Sequence, residues 1–242
     1  MSAESVEKFM LLLKKSPPGA VFNPWWEVDN ENDIGRNAPA IRRKQLRAYL
    51  QQRLRTATLA VIGEAVGYRG GHFSGIPMTS ERLLLGRSKK VHVKPNAFFS
   101  DIKPHRTSNP KKCADGFSEP TATIVWGTFL RLGLKPDQFV LWNAFPWHSF
   151  DSRRGMLSNR MPNKSEQAAG LPVLKAFLEL FPCDQVVALG KIAAAQLEKL
   201  NVNAQCIRHP ASGGAKLFRQ QIAGIAAGLD LPREFDRASS AN

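Results

Sequence analysis

Four short polar stretches carry the residue types that acid–base or electrostatic catalysis needs, and each follows an apolar segment typical of a buried β-strand. They are residues 63–67 (GEAVG), 143–148 (NAFPWH), 190–191 (GK) and 209–214 (HPASGG). In an open parallel sheet, ligands bind beyond the carboxyl ends of the strands. We therefore expect the four stretches to surround one pocket.

Glu64 and His209 are the candidate catalytic residues. Glu64 is the single carboxylate in its turn, where Gly63 and Gly67 allow the backbone to approach a ligand closely. His209 ends an apolar segment, so its ring can point into the pocket. The alternatives are a solvated loop acid for Glu64 and a structural histidine for His209.

Two further groups in these stretches are suited to binding a ligand. The amide of Asn143 has one donor face and one acceptor face, the pattern needed to read an imide such as the pairing edge of uracil. Its alternative role is to cap the following turn. Ser212, Gly213 and Gly214 precede a predicted helix, and their backbone N–H groups would suit a phosphate.

The charge balance favours a polyanionic partner. The 242 residues include 34 lysines and arginines against 20 aspartates and glutamates, a formal net charge of +14, which favours binding to nucleic acid. Residues 82–112 are rich in lysine and arginine, and we expect a basic loop insertion at about 82–118, the alternative being a solvated loop. The residues predicted to hold phosphates are Lys89, Lys90, Lys94, Arg153 and Arg154.

Cysteine spacing and hydropathy argue against several other classes of protein. Cys113, Cys183 and Cys206 lack the spacing of a metal site or a disulfide framework, which favours a reduced compartment. No stretch approaches the roughly 20 apolar residues that span a bilayer. The glycines around residues 63–70 and 190–191 do not match dinucleotide or phosphate-binding loops, which disfavours nucleoside triphosphate chemistry.

Apolar periodicity predicts strands that alternate with helices in a single domain over residues 1–242, with a disordered tail at about 237–242. This order implies right-handed βαβ units and a mostly parallel sheet in an α/β fold. The predicted strands are residues 57–62, 138–142, 186–189 and 205–208. The predicted helices are residues 5–15, 39–53, 122–132, 165–180, 192–200 and 215–227.

The order and spacing of the motifs resemble those of the uracil-DNA glycosylase superfamily. The resemblance covers about residues 58–229 and includes residues 63–67, Asn143 followed by residues 158–162 (SNRMP), Gly190, and residues 209–212 (HPAS). It implies a three-layer α/β/α fold around a four-stranded parallel sheet. It also implies hydrolysis of the bond between uracil and deoxyribose in DNA, without a cofactor.

Departures from the family pattern point to a divergent branch. Val66 replaces the proline of the iron-sulfur branch, and three cysteines are too few for its cluster, so we expect no metal. Ala65 and Gly67 stand where the best-known branch has an aspartate and a tyrosine. We expect Ala65 and Gly67 to contact the base. The ways in which water is activated and thymine is excluded should then differ from those of that branch.

The resemblance also suggests which residues contact the base and the duplex. Met78 aligns with the aromatic residue that usually stacks on uracil, and Phe73 is the alternative stacking surface. The residues after His209 depart from the usual pattern, which weakens the assignment of Ser212 to a phosphate. Leu217 or Phe218 would act as a wedge in the vacated base stack.

The expected function is therefore a DNA repair glycosylase that flips uracil out of DNA and leaves an abasic site. His209 would donate a hydrogen bond to the departing base, while Glu64 would orient or deprotonate the water and oppose the positive charge on the sugar. The expected enzyme is a monomer in the cytoplasm or with the nucleoid. Two alternatives stay open: a glycosylase for hypoxanthine or xanthine, since Gly67 leaves a roomier pocket than a tyrosine, and a nonenzymatic binder of damaged DNA.

Overall fold

A computed structural model describes residues 3–228, so the predicted tail at 237–242 lies outside the described residues. In chain order the elements are α1 (Ala3–Leu12), β1 (Val21–Phe22), α2 (Ala38–Arg53), β2 (Leu59–Ala65), α3 (Gly71–Ser74), α4 (Glu81–Leu84), a 3-10 turn (Pro95–Ala97), α5 (Pro120–Arg131), β3 (Phe139–Phe145), β4 (His148–Ser149), α6 (Lys164–Leu180), β5 (Gln185–Leu189), α7 (Lys191–Lys199), β6 (Gln205–Ile207) and α8 (Ala215–Ala227).

The central sheet has four parallel strands in the order β3-β2-β5-β6, flanked by helices. Residues Leu59 to Ile62 of β2 are fully buried, because this inner strand is covered on both faces. The register places Gly63 opposite Asn143 at the carboxyl end of the β2–β3 pair. The predicted three-layer α/β/α fold is confirmed.

Two strands run further than the apolar pattern predicts. The expected strand at 57–62 continues to Ala65, and the one at 138–142 continues to Phe145. Glu64 and Asn143 therefore lie within strands and not in the turns that follow them. The antiparallel pair of β1 and β4 was not predicted, since strands of two residues are too short to show alternation.

The basic segment at 82–118 is mostly irregular, but its centre belongs to the core. Phe98 and Phe99 are buried, and Thr107 and Ser108 donate backbone hydrogen bonds to the buried carboxylate of Glu81. The segment is thus held to the body of the molecule at several points. In the described part of the chain, no helix is long and apolar enough to cross a membrane.

Arg53, at the end of α2, is fully buried and joins three parts of the chain. Its guanidinium donates to five backbone carbonyls at 2.7–3.3 Å, those of Tyr49, Ala97, Phe98, Pro136 and Phe139. Its face also lies 3.8 Å from the ring centroid of Tyr49. Burying a charge is costly unless it is fully hydrogen-bonded, and the planar fork of arginine meets that need here.

We predict that Arg53→Lys lowers the free energy of unfolding by about 3 kcal/mol, since one ammonium cannot reach all five carbonyls and each one left unpaired costs roughly 1–3 kcal/mol. Urea denaturation measures the change. Arg55→Lys, two residues further on and exposed, is the matched control and should change stability little. Equal stability of the two variants would show that the carbonyls find other donors.

Candidate active site

A cavity of about 330 Å³ lies at the carboxyl ends of β2 and β3, between the loop before α6 and the turn after β6. The residues around it come from six separate segments of the chain, as expected for a site at the carboxyl ends of the strands of a parallel sheet. Its lining residues are Gly63, Glu64, Ala65, Val66, Gly67, Met78, Glu119, Thr121, Asn143, Asn159, Arg160, Met161, His209 and Ala211.

Most of the predicted base-binding and catalytic residues meet in this cavity. The predicted residues that line it are Glu64, Ala65, Gly67, Met78, Asn143 and His209. Phe73, the alternative stacking residue, does not. Its buried ring stacks on Phe117 with centroids 4.4 Å apart, and His72 lies 4.4 Å away at a tilt. Phe73 is thus a core residue, and Met78 is the stacking candidate that the cavity contains.

Asn143 places an unpaired amide in the cavity wall. The residue is 1% exposed, and within the part of the chain that the structure describes neither Oδ1 nor Nδ2 has a hydrogen-bond partner. The amide therefore does not cap the following turn. Gly63 makes the room, because a Cβ there would lie 2.6 Å from Oδ1. A buried amide without partners is costly, which is the condition expected of a group that bonds a ligand.

His209 is fixed in one tautomer by its own turn. Its Nδ1 accepts a hydrogen bond of 3.1 Å from the backbone N–H of Ala211, so the hydrogen of the neutral ring lies on Nε2. Burial, assisted by the neighbouring charge of Arg208, lowers the pKa of His209. The ring is therefore neutral at pH 7, with a hydrogen-bond donor available at the cavity.

Glu64 lies on the floor of the cavity near the end of β2 and is partly buried. Burial raises its pKa above the usual range of a glutamate, and no basic partner counteracts this effect. A carboxylate with a raised pKa is a better proton acceptor than a solvated one. The geometry therefore suits Glu64 to hold or deprotonate a water molecule.

Glu119, which the sequence analysis missed, is a second acid in the cavity. It is the residue before α5, and its side chain makes no capping bond to that helix. Instead the carboxyl lies over Gly67 and Gly70, where an added Cβ would overlap with its oxygens. Part of the space that Gly67 leaves is therefore occupied by the side chain of Glu119. Burial raises the pKa of Glu119 to about 7.

The loop before α6 closes one side of the cavity with Asn159, Arg160 and Met161. Asn159 Oδ1 accepts from the backbone N–H of Tyr68 at 3.0 Å, which ties the loop to the turn after β2. The guanidinium of Arg160 makes two 2.6 Å hydrogen bonds to Glu166, an acid that also caps α6. The loop is therefore held in place before any ligand binds.

A buried chain of polar side chains supports this loop from inside. His148 Nε2 lies 2.7 Å from the carbonyl of Ser158, His148 Nδ1 lies 3.0 Å from His72 Nδ1, and His72 Nε2 lies 3.1 Å from Asp29. Because a carbonyl only accepts, His148 donates from Nε2 to Ser158. The chain connects Asp29 to the residue before Asn159.

Acid should weaken the fold through His148, whose pKa burial lowers to about 3. As the pH is lowered through about 6.5, the histidine gains a proton in the unfolded chain but stays neutral in the folded chain. The free energy of unfolding therefore decreases by up to about 1.4 kcal/mol for each pH unit below about 6.5. Urea denaturation from pH 7 to 5 measures the slope.

His148→Gln should reduce that slope, whereas His92→Gln at an exposed site should leave it unchanged. An equal slope in all three proteins would show that His148 gains its proton without unfolding.

The predicted DNA-binding residues lie outside the cavity. Ser212 and Gly213 are exposed in a turn with positive φ, while Gly214 is buried against the backbone of His209. Leu217 is 47% exposed, whereas Phe218 is buried in the core and cannot act as a wedge. The exposed basic residues are Lys89, Lys90, Lys94, Arg153 and Arg154.

A basic groove of about 510 Å³ runs beside the first turns of α5. Pro120 and Thr123 lie on its floor, so it adjoins Glu119 and the cavity. Of the lysines predicted to hold phosphates, Lys90 lines this groove. The cationic residues that line it are Arg69, Lys90, Arg131 and Arg219.

Metal ligands are not gathered at this site. Among residues 3–228, no group of three or more histidine, cysteine, aspartate or glutamate side chains is placed to hold a metal ion. Cys113, Cys183 and Cys206 are free thiols.

The comparisons identify the family. The model of the uracil DNA glycosylase superfamily matches residues 53–227, and the chain belongs to this superfamily of DNA glycosylases, which are hydrolases of base excision repair. The crystal structure of wild-type Pedobacter heparinus SMUG2 has a similar fold, with a TM-score of 0.57 and 15% sequence identity over 91% of this chain and 96% of that chain. A comparison with curated proteins gave no match.

Proposed function

We propose that this DNA glycosylase excises uracil from DNA as a monofunctional hydrolase. The observation that carries the proposal is the unpaired amide of Asn143, buried in the cavity that also holds Glu64 and His209. Its donor and acceptor match the adjacent N–H and C=O groups of an imide edge. A cavity of about 330 Å³ is large enough for a single flipped base.

The chemistry assigned to the two catalytic residues follows from their environments. As the bond between C1′ and the base nitrogen breaks, negative charge grows on the base, and His209 donates a hydrogen bond from Nε2 to it. Positive charge grows on the sugar, and Glu64 faces it while positioning water. The water oxygen bonds to C1′, Glu64 accepts the released proton, and the base leaves with the bonding electron pair.

Flipping the nucleotide out of the stack gives these groups access to the bond. In the proposed complex the basic groove beside α5 holds the phosphates, and exposed Leu217 fills the space that the base leaves. The active form in this proposed function is a monomer in the cytoplasm or with the nucleoid. Ser212 and Gly213 offer further backbone donors to a phosphate.

We expect the protein to release uracil from single-stranded and duplex DNA, measured by alkaline cleavage of single strands and duplexes that contain uracil, hypoxanthine, xanthine or thymine. His209→Ala and Glu64→Ala should each lower the single-turnover rate by about a hundredfold with much smaller losses of affinity, because both groups act mainly in the transition state. His92→Ala and Glu198→Ala, at exposed sites, are the matched controls.

Release of hypoxanthine or xanthine in place of uracil would favour the alternative substrates that the sequence leaves open. Binding of uracil-containing DNA without release of any base would instead identify a nonenzymatic binder. Full activity in both catalytic variants would show that Glu64 and His209 do not take part in the reaction.

The salt dependence of DNA binding tests the groove. Replacing Arg69, Lys90 and Arg219 by glutamine should flatten the slope of log affinity against log salt by up to about three units, since each cation displaces about one condensed counterion. Lys135→Gln with Lys199→Gln is the control, because the two exposed lysines precede β3 and β6 and so lie toward the amino ends of the strands, away from the cavity. An unchanged slope in the triple variant would show that the phosphate contacts lie elsewhere on the protein.

A further inference from the structure

Glu119 is a polar group that the mechanism above does not use. We propose that Glu119 is a specificity-determining residue that donates a hydrogen bond from its carboxyl to an acceptor atom on the flipped base. This inference rests on the proposed excision of a base in the same cavity. It assigns to the residue before α5 a contact with the substrate that is independent of Asn143.

The position of the carboxyl is the first support. Two glycines, Gly67 and Gly70, lack the side chains that would overlap with the oxygens of Glu119. An acid from a different segment therefore occupies the space above the turn that follows β2. From there it lines the same cavity as Asn143 and Glu64.

The unmet hydrogen bond is the second support. Oε2 of Glu119 is inaccessible and has no hydrogen-bond partner among residues 3–228. The side chain does not cap α5, so the usual structural role of an acid at this position is absent. A buried carboxyl oxygen without a partner is costly to keep, and a ligand that satisfies it recovers that cost.

The surrounding charges explain the protonation state. The titratable or charged side chains that share the cavity with Glu119 are Glu64, Arg160 and His209, and Arg69 lies in the adjoining turn. Arg160 is bound to Glu166, and His209 is neutral. Burial without a cationic partner raises the pKa of Glu119 to about 7.

Two consequences for the base follow from this protonation state. Below pH 7 the carboxyl has an O–H that bonds a carbonyl oxygen or a ring nitrogen with a lone pair. Above pH 7 the ionised carboxylate only accepts, and it repels the lone pairs of a keto base. Bases with an acceptor facing Glu119 are thus selected over bases with an amino group there.

Glu119→Gln separates this contact from a structural role, because an amide keeps the shape and donates at every pH. Single-turnover excision of the base released most rapidly by the wild type is measured from pH 5.5 to 9. We expect the wild-type rate to fall above pH 7 by up to tenfold per unit, and the fall to be absent in Glu119→Gln. Glu119→Leu, which has no donor, should lose about 10- to 100-fold at pH 6.

Glu198→Gln, at an exposed site on α7, is the matched control and should keep the wild-type profile. The proposal would be overturned if the excision rate of Glu119→Gln still fell above pH 7. It would also be overturned if a folded Glu119→Leu protein excised the base at the wild-type rate. Thermal unfolding checks that each variant is folded.

Binding gives a readout that does not depend on turnover. Affinity for DNA containing 2′-fluoro-2′-deoxyuridine, whose glycosidic bond resists hydrolysis, should weaken above pH 7 in the wild type and stay level in Glu119→Gln. If the wild type releases no base yet shows this difference in binding, the proposed function fails while the contact stands. If excision occurs and neither pH difference is seen, the contact fails while the function stands.

Discussion

The parallel register between β2 and β3 determines which side chains meet in the cavity. It sets Gly63 opposite Asn143, and the missing side chain at Gly63 gives the amide its space. Side chains alternate between the two faces of a strand, so a slip of one residue would turn the amide to the opposite face. The buried apolar residues from Leu59 to Ile62 resist such a slip, because each has its own place in the core.

Groups in the site fall into two classes, according to whether the protein already satisfies them. His209, Asn159 and Arg160 each have a protein partner, and those bonds fix their orientation. Asn143 and Glu119 have polar atoms without a hydrogen-bond partner in the described residues. The fixed groups supply preorganised geometry, and the unpaired groups are those that gain most from contact with a ligand. The first class therefore keeps the site in a fixed orientation, and the second class is available to bind a ligand.

Much of the fold and about half of the site follow from local sequence signals. The last helix, Ala215–Ala227, was predicted with its observed bounds because its apolar period is clear, and His209 was found through the turn beside it. Glu119 carried no such signal, since an acid before a proline is typical of an ordinary helix start. Its role depends on Gly67 and Gly70, which are remote in sequence. The choice between Phe73 and Met78 likewise required the packing of Phe117.

Arg53 has a consequence for how the chain acquires its structure during synthesis. Its five carbonyl partners include Pro136 and Phe139, which leave the ribosome more than 80 residues after the arginine. Until those residues emerge, the inner end of α2 would bury a charge that lacks part of its hydrogen bonds. The hydrogen bonds of Arg53 are therefore completed only once β3 has emerged from the ribosome. The contacts of Glu81 with Thr107 and Ser108, which anchor the basic segment, need only the chain up to residue 108.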